Sequence, residues 1–593
     1  MSRIHSCAAL CALLLSAASS VGCDGGETGQ GGKGGSGDGG KGGSGGEVIP
    51  DKPTTHFEEG PVAWSVPLGG THLAGFSDFG GEAGNGDDVA FGDQRYRMLD
   101  LTGDHKPDLV VPALAVQRDG YSFWNQVPGF KDDKPFWYVY KNNGSGFDAG
   151  PIPWFVPKGG AHAAGFNDLS GEAGNGDDVS FGDQRWRLTD IDGDGLSDIV
   201  ITAVAVPRDG YSYWNQVPGF KDGKPFWYVY KNNGSGFEQG PIPWFVPVGG
   251  AHLAGFNDLS GEPGFGDDVA FGDQRWRLMD IDADGKADLV VTATAQPRDG
   301  YSYWSEVPGL KDGKPFWYVY KNNGAGFEQG PIPWFVPVGG TQIAGFNDLA
   351  GEPSSGNDVV YGEPRWRTSD VDGDGKIDLV VTATSQPRDG YSYWPEVPGY
   401  KDGKPFWYVY KNNGGGFEQG PIPWFVPLGG GHLAGFNDLA GEPSYGGEVT
   451  YGDLRWRSAD MNSDGKADLV VTATAEPRDG YSYWPTVPGF KDDKPFWYVY
   501  INNGSGFEQG PIPWFVPKGG TFLGGFNDLS GDPSNGSDMA YGYDRWRTSD
   551  LDGDGRMDIV VTGKAAPRDG YNYWVPVNGY GTAPLWYVFH GAP

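Results

Sequence analysis

The chain contains few cysteines, few basic residues and no helical pattern of useful length. Only three of its 593 residues are cysteine, and 44 Lys and Arg stand against 77 Asp and Glu, a formal net charge of −33. Because binding to nucleic acid phosphates requires the opposite charge, the composition argues against a nucleic acid partner. The absence of amphipathic helical periodicity argues against a helical fold. We expect an all-β protein.

All three cysteines lie in the first 23 residues, in a segment that resembles a secretory signal. Arg3 supplies the positive end and Cys7–Leu15 a short apolar core, so residues 1–22 are interpreted as a lipoprotein signal peptide. Ser20-Val21-Gly22-Cys23 resembles a bacterial lipobox, and ordinary cleavage nearby is the alternative. The motif predicts that Cys23 is lipidated, which leaves the mature chain without a disulfide. We therefore expect a lipid-anchored envelope protein at the outer membrane or cell surface.

The segment that follows the signal is rich in glycine and lacks core-forming residues. Residues 23–56 contain mainly Gly with Ser, Asp and Lys, a composition typical of a flexible tether. A tether of this length reaches about 30 Å on average, which suits a domain held away from a membrane. The membrane is therefore expected to be contacted only through the lipid anchor.

Residues 57–593 consist of six repeats with an interval of 90 residues. The phrase Gly-Pro-x-x-Trp-x-Val-Pro begins at Gly60, Gly150, Gly240, Gly330, Gly420 and Gly510. Equal repeats of this kind indicate a solenoid, a propeller or an array. We predict one large repeat domain, and we expect it to be a monomer.

The most specific motif in each repeat is a run of alternate acidic residues before a β-branched strand. In the third repeat it is Asp280-Ile-Asp282-Ala-Asp284-Gly285-Lys286-Ala-Asp288, followed by Leu289-Val-Val-Thr. Three carboxylates at alternate positions can converge on one side of a tight loop, and Asp288 closes the cage. Such a set of hard oxygen ligands suits Ca²⁺. An EF-hand would have a Glu at the twelfth position between two helices, whereas Val291 stands there in a predicted strand.

Five near-complete copies of this motif predict a Ca²⁺ site in each of five repeats; the alternative is an Asp/Gly turn without an ion. The copy at Asp100 is incomplete, because Thr102 replaces an Asp and His105 replaces the turn Gly. Asn462 in the fifth repeat can still ligate through its amide oxygen. The predicted metal ligands are Asp190, Asp192, Asp194, Asp198, Asp280, Asp282, Asp284, Asp288, Asp370, Asp372, Asp374, Asp378, Asp460, Asn462, Asp464, Asp468, Asp550, Asp552, Asp554 and Asp558.

The acidic loop and its following strand resemble the FG-GAP/VCBS repeat of integrin-α-like β-propellers and bacterial surface proteins. The resemblance covers residues 57–593, once per repeat, and Phe271-Gly272 matches the Phe-Gly half of the family motif. No Gly-Ala-Pro follows at the family's place. The resemblance implies a calcium-binding β-propeller in a bacterial lipoprotein.

Four strands are predicted in each repeat, with the last on an edge because it contains prolines. In the third repeat the strands are Gln274–Met279, Leu289–Ala295, Phe316–Tyr320 and Phe327–Val336. Four antiparallel strands with an outer edge strand describe a propeller blade. The chain ends with a third strand at Leu585–Phe589, and it begins with a matching fourth strand around Trp64. We therefore predict a six-bladed β-propeller closed by an N-terminal outer strand on the last blade.

Alternating strand directions sort the connections onto two faces. The acidic loop and the short Asn-Asn-Gly turn share one face, and two long connections, Gly249–Asp268 and Gln296–Lys314, share the other. The second of these carries the candidate ligand-binding residues Arg298, Asp299, Tyr301, Tyr303 and Trp304, which recur with small changes in all six repeats. Their rings can stack on sugars or on a partner's apolar surface. The alternative is that they only pack the long loops together.

Two classes of function fit these features. The first is a non-catalytic binding or adhesion module for an extracellular glycan or protein ligand. The second is a polysaccharide lyase or hydrolase with its active site on the propeller axis. An axial active site needs different residues from different blades, whereas these repeats are close to identical and carry no zinc-protease or nucleophile-elbow motif. We therefore expect a binding protein and no enzyme.

Overall fold

The protein is an all-β, six-bladed β-propeller, as predicted, and its structure is a computed structural model. The structure describes residues 56–58, 60–67, 75–78, 88–90, 96–111, 136–157, 165–168, 178–180, 186–201, 220–221, 224–238, 240–247, 255–258, 268–270, 276–291, 310–311, 314–337, 345–348, 358–360, 366–381, 400–401, 404–427, 435–438, 448–450, 456–471, 490–491, 494–508, 510–517, 525–528, 538–540, 546–561 and 585–592. Within these residues no helix is long and apolar enough to cross a membrane.

Each blade contains four antiparallel strands, which follow one another in chain order in blades one to five. The first strands, from blade one to blade six, are Arg97–Leu99, Trp186–Thr189, Trp276–Met279, Trp366–Ser369, Trp456–Ala459 and Trp546–Ser549. The second strands are Asp108–Val111, Asp198–Ile201, Asp288–Val291, Asp378–Val381, Asp468–Val471 and Asp558–Val561. The third strands are Phe136–Tyr140, Lys224–Tyr230, Lys314–Tyr320, Lys404–Tyr410, Lys494–Tyr500 and Leu585–Phe589. The fourth strands are Ile152–Phe155, Ile242–Phe245, Ile332–Phe335, Ile422–Phe425, Ile512–Phe515 and, in blade six, Val62–Ser65.

The predicted closure of the ring is confirmed. Val62–Ser65 pairs antiparallel with Leu585–Phe589, in the place that the fourth strand takes in every other blade. A second contact joins the ends: the strand His56–Phe57 pairs antiparallel with Gly591–Ala592, and His56 also pairs with Phe515 of blade five. The two ends of the propeller are therefore joined to each other and to both neighbouring blades.

The hydrophobic core is divided into six clusters, one in each interface between adjacent blades. The second strand is buried at every residue, as its β-branched run predicts. Third-strand Trp317 stacks on Trp366 of the next blade at 6.3 Å between ring centroids, and Phe417 meets Trp317 edge-on at 5.2 Å. The same packing of large rings is repeated between successive blades, which explains why the tryptophans recur every 90 residues.

Some predicted boundaries and loops were wrong. The fourth strand is the four residues Ile332–Phe335, and Phe327 forms only an isolated bridge with Asn322. The connection predicted as one long loop contains two short strands, Gly255–Asp258 and Asp268–Ala270, which pair in parallel with a register shift. Three- and four-residue strands of this kind are too short to show an alternating pattern, so the sequence does not reveal them.

The equivalent short pairs in the other repeats are Gly75–Asp78 with Asp88–Ala90, Gly165–Asp168 with Asp178–Ser180, Gly345–Asp348 with Asp358–Val360, Gly435–Asp438 with Glu448–Thr450 and Gly525–Asp528 with Asp538–Ala540. Four two-residue strands also pair with the start of the third strand: Phe220–Lys221, Leu310–Lys311, Tyr400–Lys401 and Phe490–Lys491. The signal, tether residues 23–55, Cys23 and the candidate residues 298–304 lie outside the described residues, whereas His56, predicted as the end of the tether, belongs to the strand His56–Phe57.

Candidate metal centre

Each blade carries an acidic loop between its first and second strands, and the first Asp of the loop shapes it. Asp190 Oδ1 accepts hydrogen bonds from the backbone N–H groups of Gly193 (2.8 Å) and Asp194 (3.1 Å), and Oδ2 accepts one from Gly195 (2.8 Å). Gly193 and Gly195 have φ angles of 77° and 84°, in the left-handed region that favours glycine. The spacing of glycine and Asp in the motif therefore fixes a tight loop around one carboxylate.

The six acidic loops touch one another around the ring. The fourth residue of each loop lies against the sixth residue of the loop in the next blade. A Cβ built on Gly193 would lie 2.7 Å from the carbonyl oxygen of Gly285, and one built on Gly553 would lie 3.2 Å from that of His105, across the closing interface. Ser463 donates its hydroxyl to the carbonyl oxygen of Gly555 at 2.5 Å. The loops therefore form one continuous acidic collar on one face of the propeller.

Carboxylates converge in these loops as the sequence predicts. In four blades, three Asp side chains place one oxygen each within 4.8 Å of one another. The groups are Asp190, Asp192 and Asp194; Asp280, Asp282 and Asp288; Asp370, Asp372 and Asp374; and Asp550, Asp552 and Asp554. Clusters of this kind can hold a metal ion, and their oxygen-only donor set suits a hard divalent cation.

The last Asp of the loop starts the second strand and is fully buried. Asp288 and Asp378 are 0% exposed. Oδ1 of Asp288 accepts a 2.8 Å hydrogen bond from the backbone N–H of Asn322, but Oδ2 accepts none, and Asp378 behaves in the same way. A buried carboxylate oxygen without a hydrogen bond is costly unless a cation faces it. The loop residues present therefore fit a bound cation.

A lysine from the end of the third strand reaches into three of the loops. In blade two, Lys231 Nζ lies 2.9 Å from Oδ2 of Asp198 and 3.4 Å from Oδ2 of Asp194, and it forms an ion pair with Asp192. In blades three and four the equivalent lysine contacts only the second and the last Asp of the loop, and burial lowers its pKa. Lys321 pairs with Asp282, and Lys411 pairs with Asp372. An ammonium group therefore lies among the carboxylates that the sequence assigns to a metal ion.

Blade five lacks this lysine. Ile501 stands at its position, and Asn462 stands at the position of the Asp that pairs with the lysine in blades two to four. Oδ2 of Asp468 instead accepts a 3.1 Å hydrogen bond from the backbone N–H of Met461. Lys466 pairs with Asp464 at 3.2 Å, at the outer edge of the loop.

Blade six has a histidine at the lysine position. His590 Nδ1 lies 3.3 Å from Oδ2 of Asp552 and 3.2 Å from Oδ1 of Asp558. Hydrogen bonding to Asp558 raises the pKa of His590, although burial opposes this. Oδ2 of Asp558 accepts a 3.0 Å hydrogen bond from the backbone N–H of Leu551.

Blade one departs most, as the sequence indicates. Thr102 replaces the second Asp, and His105 adopts a left-handed φ of 64° at the usual glycine position. Lys141 forms no ion pair with any residue that the structure describes, and Oδ2 of Asp108 accepts a 3.4 Å hydrogen bond from the backbone N–H of Leu101.

Burial perturbs the ionisation of the closing carboxylates. It raises the pKa from 3.8 to about 6 in Asp108 and Asp198, and to about 7 in Asp288, Asp378 and Asp468, with hydrogen bonds from the backbone opposing the rise. For Lys231, burial lowers the pKa, but the hydrogen bonds to Asp192 and Asp198 outweigh it, so the pKa is raised. Burial thus disfavours the ionised form of these carboxyls, and a bound cation would stabilise that form.

An asparagine joins each of these loops to the loop of the preceding blade. Asn322 donates its side-chain N–H to the carbonyl oxygen of Ile191 at 2.7 Å, 131 residues away, and to that of Ala287 at 3.0 Å. In blade one, Asn142 reaches Leu551 across the closing interface at 2.8 Å. These contacts confirm that the Asn-Asn-Gly turn and the acidic loop share one face. In blade six, Gly591 takes the asparagine position, and its N–H donates to Asp558 at 3.1 Å.

Sequence reasoning missed the lysines, the histidine and the inter-blade asparagines. The residue after the third strand is Lys141, Lys231, Lys321, Lys411, Ile501 and His590 in blades one to six. The signal for it was present in the repeats: the lysine is absent in the one blade that has Asn462 in place of an Asp. Comparing repeats position by position would have paired these two changes.

The fold and the loops define the class of the protein as a six-bladed β-propeller whose blades carry carboxylate clusters able to bind a metal ion. No protein-family model and no curated protein matches the chain. A solved structure of an Agrocybe aegerita lectin, which recognises non-reducing terminal N-acetylglucosamine, is 18% identical with a TM-score of 0.38, covering 86% of this chain and 85% of that one.

Two other solved structures show a similarly distant likeness. The Tc holotoxin pore of Photorhabdus luminescens is 14% identical with a TM-score of 0.39; 90% of this chain is covered, and it spans only 15% of the toxin chain. The rhamnogalacturonan lyase YesW is 12% identical with a TM-score of 0.25, covering 79% of this chain and 66% of that one. Such likeness does not identify a ligand or an activity, because one fold serves many functions.

Proposed function

We propose that the chain is a calcium-binding β-propeller of the FG-GAP/VCBS type that acts as a non-catalytic binding or adhesion module at the cell surface. Lipidated Cys23 anchors it to the envelope, the segment 23–56 is its tether, and the propeller is a monomer. The observation that carries the proposal is the recurrence of a convergent carboxylate cluster at the same place in successive blades. A surface protein with repeated cation sites and no disulfide gains stability from calcium where the ion is abundant.

The residues of the acidic loops would hold the calcium ions. In blade three these are Asp280, Asp282, Asp284 and Asp288, and the buried Oδ2 of Asp288 is the strongest indication because it accepts no hydrogen bond. Calcium supplies a counter-charge for the collar. The chain's own contribution is to hold these oxygens in a tight loop between the first and second strands.

Ligand binding is proposed for the face opposite the collar. The antiparallel pairing of Leu289 with Tyr320 and of Val291 with Tyr318 puts the acidic loop at one end of the sheet. The chain therefore leaves the second strand and returns to the third strand at the other end. The candidate residues Arg298, Asp299, Tyr301, Tyr303 and Trp304 lie in that connection, and equivalent residues recur in all blades. An extracellular glycan is the favoured ligand, because Tyr and Trp rings stack on sugars while Arg and Asp orient hydroxyl groups.

A glycan-array screen of residues 53–593, in calcium and in chelator, tests this function. We expect binding to one class of glycan, with a stoichiometry approaching one per blade, because weak repeated sites act together through avidity. Alanine at Tyr301, Tyr303 and Trp304 should remove about one site and leave the melting temperature unchanged. Unfolding of that variant would instead show that these rings serve packing. An array without a hit would argue against a glycan and favour a protein ligand.

The absence of catalysis is part of the proposal. It is supported by the near identity of the blades, since an axial active site draws different residues from different blades. The test is to incubate the propeller with a panel of acidic and neutral polysaccharides and to analyse the products. New reducing ends or unsaturated sugars would contradict the proposal and support a lyase or hydrolase.

Replacement of Cys23 by Ala tests the anchor. The variant should be released from the envelope fraction.

A further inference from the structure

We propose that Lys231, Lys321 and Lys411 are built-in counter-cations that compete with calcium for the acidic loops of blades two, three and four. The loops then bind calcium with graded affinity, and blade five, which has Ile501 instead of the lysine, binds it more tightly than those three. The inference rests on the proposed calcium binding and adds to it a reason why the affinity for calcium differs between blades.

The position of the ammonium group is the first support. Lys231 Nζ is within 3.4 Å of two carboxylate oxygens and pairs with a third carboxylate, all from the acidic loop of its own blade. Lys321 Nζ lies 3.5 Å from Asp288 Oδ2, the fully buried oxygen that accepts no hydrogen bond. Lys411 lies 3.6 Å from the equivalent oxygen of Asp378. The ammonium therefore faces the oxygen that most needs a cation.

The orientation of the closing carboxylate is the second support. In blades two to four its Oδ2 has a lysine as its cationic neighbour, at 2.9 to 3.6 Å. In blades five and six, Oδ2 of Asp468 and Asp558 instead accepts a hydrogen bond from the backbone N–H of the second loop residue, at 3.1 and 3.0 Å. The loops therefore differ in whether a lysine contacts this oxygen.

In blade five the two positions that form the pair change together. Asp282 faces Lys321, and the same two residue types recur in blades two and four. In blade five both members are lost, to Asn462 and Ile501. In blade one only the acid is lost, and the remaining Lys141 pairs with no described residue. The lysine enters the loop only where the second Asp is present. We therefore infer that this carboxylate holds the lysine in the loop.

Net charge does not separate the two kinds of loop. Blade three has four loop Asp and Lys321, which sum to −3, and blade five has three loop Asp and no such lysine, which also sum to −3. The difference is that calcium has to displace a tethered ammonium in blade three. Displacing it breaks the ion pairs of Lys321 with Asp282 and with the fully buried Asp288, in a site where Lys321 itself is 21% exposed. Affinity is therefore lowered in blades two to four.

The experiment counts calcium ions bound by the full propeller at a fixed low free calcium, using equilibrium dialysis. The free calcium is set so that the wild type binds about one ion per chain. The triple variant Lys231→Met, Lys321→Met, Lys411→Met should then bind about one to three more ions, because each loop tightens about tenfold or more. The matched control is Lys106→Met, which removes the lysine that pairs with Asp104 in the loop of blade one, where no calcium site is predicted, and it should leave the count unchanged.

The reciprocal change is made in blade five, where no cation is removed. Asn462→Asp with Ile501→Lys rebuilds the lysine contact and should lose the tightest ion, whereas Ile501→Met should keep it. Melting temperatures in calcium and in chelator give a second readout. Lys321→Met should melt lower than the wild type in chelator and equal to it in calcium, because the ion replaces the ammonium. A lysine with only a structural role would lower both melting temperatures by the same amount.

The outcomes separate the two ideas. If the wild type binds calcium and the lysine variants bind it with the same count and affinity, the competition is overturned and the proposed calcium binding stands. If neither the wild type nor the triple variant binds calcium, both the proposed calcium binding and the competition by lysine are contradicted. An increase in the count that appears in the triple lysine variant and not in Lys106→Met supports the competition.

Discussion

Trp64 lies directly opposite Trp586 in the antiparallel strand pair that closes the propeller. More than 500 residues separate the two in the chain, and both are 0% exposed. Trp64 packs edge-on against Phe147 of blade one at 6.4 Å, and Phe147 meets Trp586 at 5.2 Å. The closing strand therefore completes blade six and also fills its interface with blade one.

Replacement of Trp64 by Ala should strongly destabilise the whole propeller. Loss of a buried tryptophan costs about 3–5 kcal/mol, and here the loss falls on the strand that completes blade six and helps to close the ring. Denaturant unfolding followed by tryptophan fluorescence measures the change. Val62→Ala on the same strand, at a residue that is 38% exposed, should change stability by only about 0.5 kcal/mol. Equal effects of the two variants would contradict the closure.

Truncation tests the same closure without a point substitution. Deletion of residues 24–68 removes both Phe57, which packs on Trp497 at 5.3 Å, and the strand Val62–Ser65. The exposed edge of Leu585–Phe589 should then lower the melting temperature or drive aggregation. Deletion of residues 24–52 removes only the tether and should do neither. Two truncated proteins that melt alike as monomers would argue for a different architecture.

The blades and the closure could be predicted because they depend on local sequence patterns and on the order of those patterns along the chain. β-branched runs such as Leu289–Val291, the prolines of the edge strand and the offset of the two chain ends all survive in the sequence alone. The contact between Asn322 and Ile191 could not be predicted, because it joins residues 131 positions apart through the rotation of one blade against the next. The entry of Lys321 into the acidic loop depends in the same way on where a long side chain points.

Replacement of Asn322 by Ala should weaken the contact between blades two and three. The substitution removes buried hydrogen bonds to Ile191 and Ala287 and leaves their carbonyl oxygens without this partner, at a cost of about 1–3 kcal/mol. Thermal unfolding of the two proteins side by side measures it. Asn323→Ala, one residue further on, changes an exposed side chain and should have little effect. A destabilisation as large in Asn323→Ala would remove the special role of the buried asparagine.

Chelation should lower the melting temperature of the propeller. At millimolar calcium and a dissociation constant near 10⁻⁴ M, each occupied loop stabilises the fold by about 1.4 kcal/mol. Five independent sites would add up to about 7 kcal/mol, and competition by lysine in three loops would make the total smaller. Calorimetry with and without chelator gives the shift, and elemental analysis of the purified protein gives the ion content. An unchanged melting temperature together with no bound calcium would contradict the calcium sites.

The metal-free propeller should lose stability as the pH rises, and calcium should prevent that loss. Burial raises the pKa of Asp468 from 3.8 to about 7, so this carboxyl ionises more readily in the unfolded chain than in the folded one. The folded state is therefore favoured below the ordinary pKa and loses this advantage as the pH rises through the raised value. Asp108, with a pKa raised to about 6, acts in the same direction. In chelator the melting temperature should fall between about pH 4 and about pH 7, whereas in calcium the ionised carboxylates are bound and it should stay level. Asp468→Asn should flatten part of the slope in chelator. A slope that is the same with and without calcium would show that these carboxyls do not control it.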